Sequence, residues 1–175
     1  KLNGGISRYE KIKVFLNDLV PKYNISIQND SYEEILSRYS HYCKDSLKNA
    51  EVAKGLFYLR EITNSTKWLI ISGGDQNELR DTFFHKKIDY FFNGGIFGSP
   101  DSKDEIIVRE VLNKNILKPA LFIGDSKLDY FAANSNNLDF IFLSDWTDFK
   151  DYEEFCSSNN IIIKKNLESL LSNIN

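Results

Sequence analysis

The stretch LFIGDSKLDYFAA, residues 121–133, passes from an apolar run into an amphipathic helix without a linker. Residues 121–123 are typical of a strand in a parallel sheet that is covered on both faces. Gly124 ends the run, so Asp125 is predicted at the carboxyl end of the strand, where open α/β sheets bind ligands. Asp129 follows one helical turn later on the same side. Two carboxylates at one crevice indicate a divalent-cation site, although acids and serines are also ordinary residues at a helix start.

Apolar runs of the same kind recur on both sides of this stretch. They are KWLIIS (67–72), a short run within DYFFNGGIFGSP (89–100), ALFIG (120–124), DFIFLS (139–144) and NIIIKK (160–165). Amphipathic stretches separate the runs, and two of them open with the capping-box pairs Asp75 with Glu78 and Ser102 with Glu105. Strands that alternate with helices at this spacing predict an α/β protein with a doubly wound parallel sheet.

The amino-terminal third of the chain has a helical pattern throughout. One helix is predicted to open at Ser7 and to end at Pro21, and a second is predicted to open at Ser31. A third helix is predicted over residues 50–63 and leads to the first strand. The pattern therefore divides the chain near residue 52, into an all-helical unit over residues 1–52 and an α/β unit over residues 53–175.

Composition restricts the class of protein. With 27% charged residues, 42% hydrophobic residues and a net charge of −3, the chain resembles a soluble globular protein and not one that binds nucleic acid or an anionic membrane. The two cysteines, Cys43 and Cys156, lack metal-ligand spacing and are interpreted as free thiols, which favours the cytoplasm. His41 and His85 belong to no recognisable metal-binding or catalytic pattern. No feature of the sequence indicates an oligomeric state.

Three predicted strands end in residues that suit a phosphate group. Ser72 is followed by Gly73 and Gly74, whose N–H groups would allow an anion to approach closely at the start of the next helix. Lys103 lies in the first turn of a helix, where a cation opposes the helix dipole. The third end carries Asp125. Taken singly, the first is also compatible with a plain turn and the second with an exposed lysine.

The order of these motifs resembles motifs II, III and IV of the haloacid dehalogenase-like hydrolases, over residues 67–145. The resemblance implies that Ser72 binds the transferring phosphoryl group and that Lys103 neutralises it. It also implies that Asp125 holds Mg²⁺ and that Asp129 supports either the metal site or Lys103. Phosphoryl transfer depends on positioning and charge neutralisation, which these residue types supply.

The chain departs from that family at the nucleophile. The family attacks phosphate with an aspartate of a D-x-D motif on a central first strand, and this sequence contains no D-x-D. Asp145 and Asp148 have the wrong spacing and position to replace it. Because the sequence begins at Lys1 and contains no Met, we expect that a segment with the first strand precedes it. A sheet without its middle strand would leave unpaired backbone and an exposed apolar slot.

The resemblance also gives residues 1–52 a role, that of the family's small helical cap, which lies between motifs I and II. Within it Arg8, beside Gly4 and Gly5, is a candidate contact for a substrate anion, and a solvated arginine is the alternative. The implied function is a Mg²⁺-dependent phosphatase that acts on a small phosphorylated metabolite through an aspartyl-phosphate intermediate. A catalytically inactive module that binds phosphate or a partner is the alternative, and dehalogenase and phosphonatase chemistry stay open. A receiver-like domain is disfavoured because its acids would come at the first strand.

Overall fold

The computed structural model describes residues 6–27 and 31–171 of the chain. Its α-helices are α1 Arg8–Val14, α2 Val20–Lys22, α3 Tyr32–Asn49, α4 Leu56–Ile62, α5 Gln76–His85, α6 Lys103–Leu112, α7 Lys127–Ser135, α8 Tyr152–Ser158 and α9 Leu167–Leu171. Its strands are β1 Leu69–Asp75, β2 Gly95–Ser99, β3 Leu121–Gly124, β4 Asp139–Leu143 and β5 Ile162–Lys164. A π-helical turn over Phe15–Leu19 joins α1 to α2. None of the described helices is long and apolar enough to cross a membrane.

All of the strand pairs among the described residues are parallel. β1 pairs with β2, β3 pairs with β4, and β4 pairs with β5. A helix follows each strand, as the sequence predicts for a strand-helix repeat. The α/β class with a parallel sheet is thereby confirmed. The described strands form two separate sheets, one of β1 and β2 and the other of β3, β4 and β5.

One layer of helices extends over both sheets. α6 leaves β2, packs against β1 and leads to β3, while α7 packs against α6 and against both β3 and β4. Since α6 crosses β1 on its way to β3, β1 is the strand of the first sheet that faces the second. The two sheets are therefore parts of one layer that is interrupted between β1 and β3.

Two apolar clusters hold these layers together. The first packs around the β1–β2 sheet and consists of Leu79, Ile88, Phe91, Phe92 and Ile96. The second belongs to the other sheet and its helices, where Phe142 and Leu143 of β4, Ala132 and Ala133 of α7 and Cys156 of α8 are each at most 1% exposed. The apolar residues of β1 and β3 are only partly buried, and Leu121 is 52% exposed. Burial is thus less complete on β1 and β3 than on β2 and β4.

The helix predicted over residues 50–63 is wrong in its first part. Ala50 has an extended backbone and α4 begins only at Leu56. Gly55 adopts a left-handed conformation with φ +83°, which cannot continue a right-handed helix. The elements before residue 50, namely α1, α2 and α3 with the π-helical turn, are called the helical segment. A non-helical linker therefore separates the helical segment from α4, close to the boundary predicted near residue 52.

The helical segment contacts the α/β unit mainly along α5. The Lys44 ammonium lies 3.9 Å from a carboxylate oxygen of Asp81, and the Lys86 ammonium donates to the carbonyl oxygen of Lys48 at 3.0 Å. These contacts are polar and partly exposed, whereas the apolar clusters lie within the α/β unit. Polar interfaces of this kind are typical of contacts between units of one chain. The division into two domains stays a prediction.

Candidate active site

The irregular last part of β1, residues 72–74, contains the serine and the two glycines predicted to bind phosphate and is called the Ser72–Gly74 turn. The register of β1 against β2 shifts between Ile71 and Asp75, so the end of β1 bulges. Within the bulge the Ser72 hydroxyl oxygen accepts a hydrogen bond from the Gly74 N–H at 3.1 Å. The Ser99 hydroxyl of β2 donates to the Gly73 carbonyl oxygen at 2.7 Å. The turn is therefore ordered by its own contacts, with the Ser72 hydroxyl at the carboxyl end of the sheet.

Asp75 occupies the amino end of α5. One of its carboxylate oxygens accepts the N–H groups of Asn77 and Glu78, each at 3.0 Å. The predicted capping box is thus only half formed, because the Glu78 carboxylate binds Arg8 instead of returning to Asp75. The first turn of α5 is therefore already capped by a carboxylate, and the binding of phosphate by Gly73 and Gly74 stays a prediction.

Gly98 allows β2 to approach this turn. A Cβ at Gly98 would lie 2.3 Å from the Gly74 carbonyl oxygen, a separation that real Cβ atoms do not show. Any side chain there would push the Ser72–Gly74 turn away from the sheet. We expect Gly98→Ala to destabilise the protein by about 2 kcal/mol through this steric overlap, and a urea unfolding curve tests it. Asn64→Ala, at an exposed position, is the control. A decrease of less than about 0.5 kcal/mol in the free energy of unfolding of Gly98→Ala would contradict the close approach of β2 to the turn.

The turn after β3 is organised by Asp129. One oxygen of its carboxylate accepts three hydrogen bonds, from the N–H groups of Asp125 and Ser126 at 3.2 and 3.1 Å and from the Ser126 hydroxyl at 2.7 Å. Ser126 in turn caps α7 and forms a reciprocal capping box with Asp129. A Cβ at Gly124 would lie 2.5 Å from the Asp129 side chain, so a glycine is needed beside this carboxylate.

Lys103 forms a buried ion pair with the other oxygen of Asp129. The two side chains are only 14% and 5% exposed. The lysine is the first residue of α6 and follows the N-cap Ser102. Ser102 and Glu105 form the capping box that the sequence predicts. The alternative of a solvated lysine does not describe Lys103, because its ammonium group binds a buried carboxylate. The structure therefore links the carboxyl ends of β2 and β3 through one charged contact.

Asp125 lies half-buried beside this ion pair. Burial raises the pKa of its carboxyl above the usual value, the negative charge of Asp129 raises the pKa further, and the positive charge of Lys103 opposes the shift. The carboxylate form is thus disfavoured when no other cation is present. A desolvated carboxylate of this kind is stabilised by a cation placed next to it.

Residues present at the site fit Mg²⁺ in part. Mg²⁺ usually binds through one or two carboxylates, with substrate phosphate oxygens and water completing its shell. Asp125 meets that requirement, whereas both oxygens of Asp129 already have protein partners. Among the described residues there is no group of three or more His, Cys, Asp or Glu side chains that could hold a metal. The geometry favours Asp129 as support for Lys103, and its role as a metal ligand stays a prediction.

Arg8 lies in the interface between the helical segment and α5. Its side chain is 6% exposed, and one guanidinium nitrogen donates to Glu78 at 2.6 Å and to the Ser40 hydroxyl at 2.8 Å. The interpretation of Arg8 as a solvated arginine is wrong, because the side chain is buried in an ion pair. Contact with a substrate anion would require it to leave Glu78, and that role stays a prediction. Gly4 and Gly5 lie outside the described residues.

Tyr9 makes a second contact of α1 with this end of the sheet. Its hydroxyl donates to the second carboxylate oxygen of Asp75 at 2.7 Å. This hydrogen bond, together with burial and the negative charge of Asp75, raises the pKa of Tyr9 to about 12. The neutral hydroxyl is therefore favoured in the folded protein.

The raised pKa of Tyr9 predicts a change of stability at alkaline pH. Because the folded-state pKa lies above the usual value, the stabilisation is complete below pH 10 and is lost as pH rises from about 10 to about 12. We expect Tyr9→Phe to destabilise the protein by about 1–2 kcal/mol at pH 8 and to flatten its loss of stability above pH 10. Urea unfolding between pH 8 and 11 measures both. Equal pH slopes for the two proteins would contradict the assignment.

Several residues at the carboxyl end of the sheet were not predicted from the sequence. Tyr9 and Ser99 carry no sequence signal, because their partners are distant in the chain. Ser126 was detectable, since Ser-x-x-Asp is a capping pattern. Outside the site, Asp145 accepts a hydrogen bond from Asn166 at 2.9 Å, and Cys43 and Cys156 are free.

Comparison with known proteins places the fold. No protein-family model matches the chain, and no curated protein matches it. Three solved structures do resemble it. A protein of Clostridium difficile to which phosphatase activity is ascribed has a TM-score of 0.67 at 19% identity, over 92% of this chain and 80% of that one. A haloacid dehalogenase-like family hydrolase from Streptococcus pneumoniae has a TM-score of 0.63 at 22% identity, over 94% and 80%. A hydrolase of the same superfamily from Ehrlichia chaffeensis has a TM-score of 0.55 at 20% identity, over 94% and 86%. The chain therefore has the haloacid dehalogenase-like α/β fold, as the order of its motifs indicates.

Proposed function

We propose that this chain belongs to a Mg²⁺-dependent phosphatase that acts on a small phosphorylated metabolite. The observation that carries the proposal is the buried Lys103–Asp129 ion pair beside the half-buried Asp125, at the carboxyl end of the sheet. The structural neighbours described as hydrolases and as a phosphatase support the same class. A fixed cation next to a desolvated carboxylate suits phosphoryl transfer, in which charge must be neutralised at a defined place.

Each site residue has a role in this proposal. The Ser72 hydroxyl and the Gly73 N–H bind the phosphoryl oxygens, and the Gly74 N–H joins them only when it releases the Ser72 hydroxyl oxygen. Lys103 neutralises the phosphate charge, and Asp129 keeps the ammonium group in place. Asp125 holds Mg²⁺, with Asp129 as a possible second ligand only if it releases Lys103. When bound, Mg²⁺ supplies a positive charge that offsets the charge of the transferring group.

The nucleophile in this proposal is an aspartate on a strand that is not among the 175 residues. The interruption of the sheet between β1 and β3 supports this idea, because a strand placed there would end between Ser72 and Asp125. Its carboxylate would attack phosphorus, the ester oxygen would leave, and water would then hydrolyse the aspartyl-phosphate. Residues 1–52 serve as the cap. Two free cysteines favour the cytoplasm as its location.

The proposal is tested by hydrolysis of p-nitrophenyl phosphate with and without Mg²⁺. We compare residues 1–175 with the same residues extended by whatever gene sequence precedes them. We expect no turnover from residues 1–175 and Mg²⁺-dependent turnover from an extended protein that carries D-x-D. In that protein Lys103→Ala lowers kcat by about 100-fold. Turnover by residues 1–175 alone, or an unchanged kcat in Lys103→Ala, would overturn the assignment.

A catalytically inactive module that binds phosphate is the second candidate. The observation that favours it is the absence of D-x-D from the sequence. It predicts an extended protein that binds inorganic phosphate at the Ser72–Gly74 turn but hydrolyses no phosphate ester. Titration calorimetry with phosphate, combined with the hydrolysis assay, separates the two candidates. Dehalogenase and phosphonatase activities are tested in the same assay format with haloacid and phosphonate substrates.

A further inference from the structure

Two side chains of α1 bind the first turn of α5. The Tyr9 hydroxyl donates to one oxygen of the Asp75 carboxylate at 2.7 Å, while the other oxygen accepts the N–H groups of Asn77 and Glu78. Arg8 donates to the Glu78 carboxylate at 2.6 Å. A single carboxylate thus connects a hydroxyl of the helical segment to the backbone at the amino end of α5.

This carboxylate belongs to the residue that directly follows the Ser72–Gly74 turn. The turn is held from the sheet side by Ser99 of β2 and by its close approach to Gly98. On the other side, the Tyr9 hydroxyl contacts the carboxylate of Asp75, the residue that follows the turn. The segment from Gly73 to Asp75 therefore has contacts both with the sheet and with α1.

The Arg8–Glu78 pair is poorly explained by stability alone. The Nε of Arg8 and the second oxygen of Glu78 are both buried and have no hydrogen-bond partner in the described part of the chain. Unpaired buried polar atoms are destabilising, so the pair gains less than a two-point contact would. The Tyr39 ring lies 5.3 Å from the guanidinium carbon and limits its movement. The pair does connect α1 directly to the first turn of α5.

We propose that Tyr9 and Arg8 are positioning residues for the phosphate-binding turn. They act through Asp75 and Glu78, without contacting the phosphate, and determine the orientation of the Ser72–Gly74 turn. The binding of phosphate by the turn in the α/β unit thereby depends on the helical segment. This inference rests on the proposed function for the identity of the ligand, whereas the contacts of α1 do not depend on it.

The experiment uses residues 1–175 and inorganic phosphate. Amide NMR shifts of Gly73 and Gly74 report the conformation of the turn, and phosphate titration reports its affinity. We expect Tyr9→Phe to shift both amides and to weaken phosphate binding by about tenfold, because a turn that adopts its binding conformation about a tenth of the time binds about tenfold more weakly. The matched control is Tyr23→Phe, which removes an exposed tyrosine hydroxyl of the same helical segment and should change neither.

A second pair of variants tests Arg8. Since the ion pair uses one donor atom, Arg8→Lys should retain the contact with Glu78 and the wild-type amide shifts, whereas Arg8→Met should resemble Tyr9→Phe. The inference is overturned if Tyr9→Phe lowers stability yet leaves the amide shifts and phosphate affinity as they are in Tyr23→Phe. If neither residues 1–175 nor the extended protein binds phosphate, the proposed function fails, and the amide shifts of the phosphate-free proteins still decide the positioning role.

Discussion

Replacing Asp125 by asparagine is expected to abolish Mg²⁺-dependent hydrolysis, with a loss of at least about 1000-fold in kcat. The amide oxygen of asparagine carries no net charge and binds Mg²⁺ far more weakly than a carboxylate. The Asp125 side chain follows the carboxyl end of β3 and is only half-buried, so the fold should persist. Kinetics of the phosphatase-active protein over a range of Mg²⁺ concentrations measure the loss. The exposed Asp148→Asn is the control.

The same substitution should have the opposite effect on stability in the absence of Mg²⁺. Burial and the charge of Asp129 raise the pKa of Asp125, so its ionised form destabilises the folded state at neutral pH. As pH falls toward the raised pKa, the folded state takes up the proton first and this destabilisation disappears. We therefore expect Asp125→Asn to unfold at a higher temperature than the wild type at pH 7 without Mg²⁺, and the difference to decrease on acidification. A lower midpoint at pH 7 would contradict the assignment of Asp125 as a desolvated carboxylate.

Removal of the Asp129 carboxylate is expected to produce the largest loss of stability. Asp129→Ala leaves the buried ammonium group of Lys103 without its partner, and a buried ion pair broken on one side costs about 3–5 kcal/mol. The substitution also removes the acceptor of two N–H groups and one hydroxyl in the turn after β3. Urea unfolding of residues 1–175 at neutral pH measures the difference in the free energy of unfolding.

Two comparisons make this prediction specific. Asp129→Asn keeps an acceptor oxygen for the turn but loses the charge opposite Lys103, so its loss should lie between those of the wild type and Asp129→Ala. Asp148→Ala removes an exposed carboxylate and should change stability by less than about 0.5 kcal/mol. A loss below about 1 kcal/mol for Asp129→Ala would show that Lys103 is hydrated and that the ion pair does not anchor the site.

Local patterns in the sequence predicted the elements that carry the site. The run 121–123, the turn glycine Gly124 and the capping pair Ser102 with Glu105 each act within a few residues, and each appears in the structure as predicted. The prediction was wrong at residues 50–55, where apolar spacing favoured a helix. There the left-handed conformation of Gly55 decided the outcome, and periodicity does not reveal a backbone conformation of that kind.

Contacts between side chains that are distant in the sequence were harder to predict. The sequence left open whether Asp129 supports Lys103 or a metal, since both roles need only a carboxylate near the end of β3. In the structure Asp129 pairs with Lys103, because α6 and α7 pack side by side and bring their first turns together, and its role as a metal ligand stays a prediction. The predicted capping box of Asp75 and Glu78 formed only in part, for a similar reason. Arg8, 70 residues away, takes the Glu78 carboxylate.

By itself the sequence determined the class of fold, the order of its strands and helices, and the three strand ends at which Ser72, Lys103 and Asp125 lie. These features follow from periodicity and turn chemistry, which are local. Tertiary structure alone decided that Lys103 is buried against Asp129, that Tyr9 binds the cap of α5, and that the described strands divide into two sheets between β1 and β3. Each of these depends on how distant segments pack. Packing brings together charges and hydrogen-bond donors whose spacing along the chain does not indicate that they are in contact.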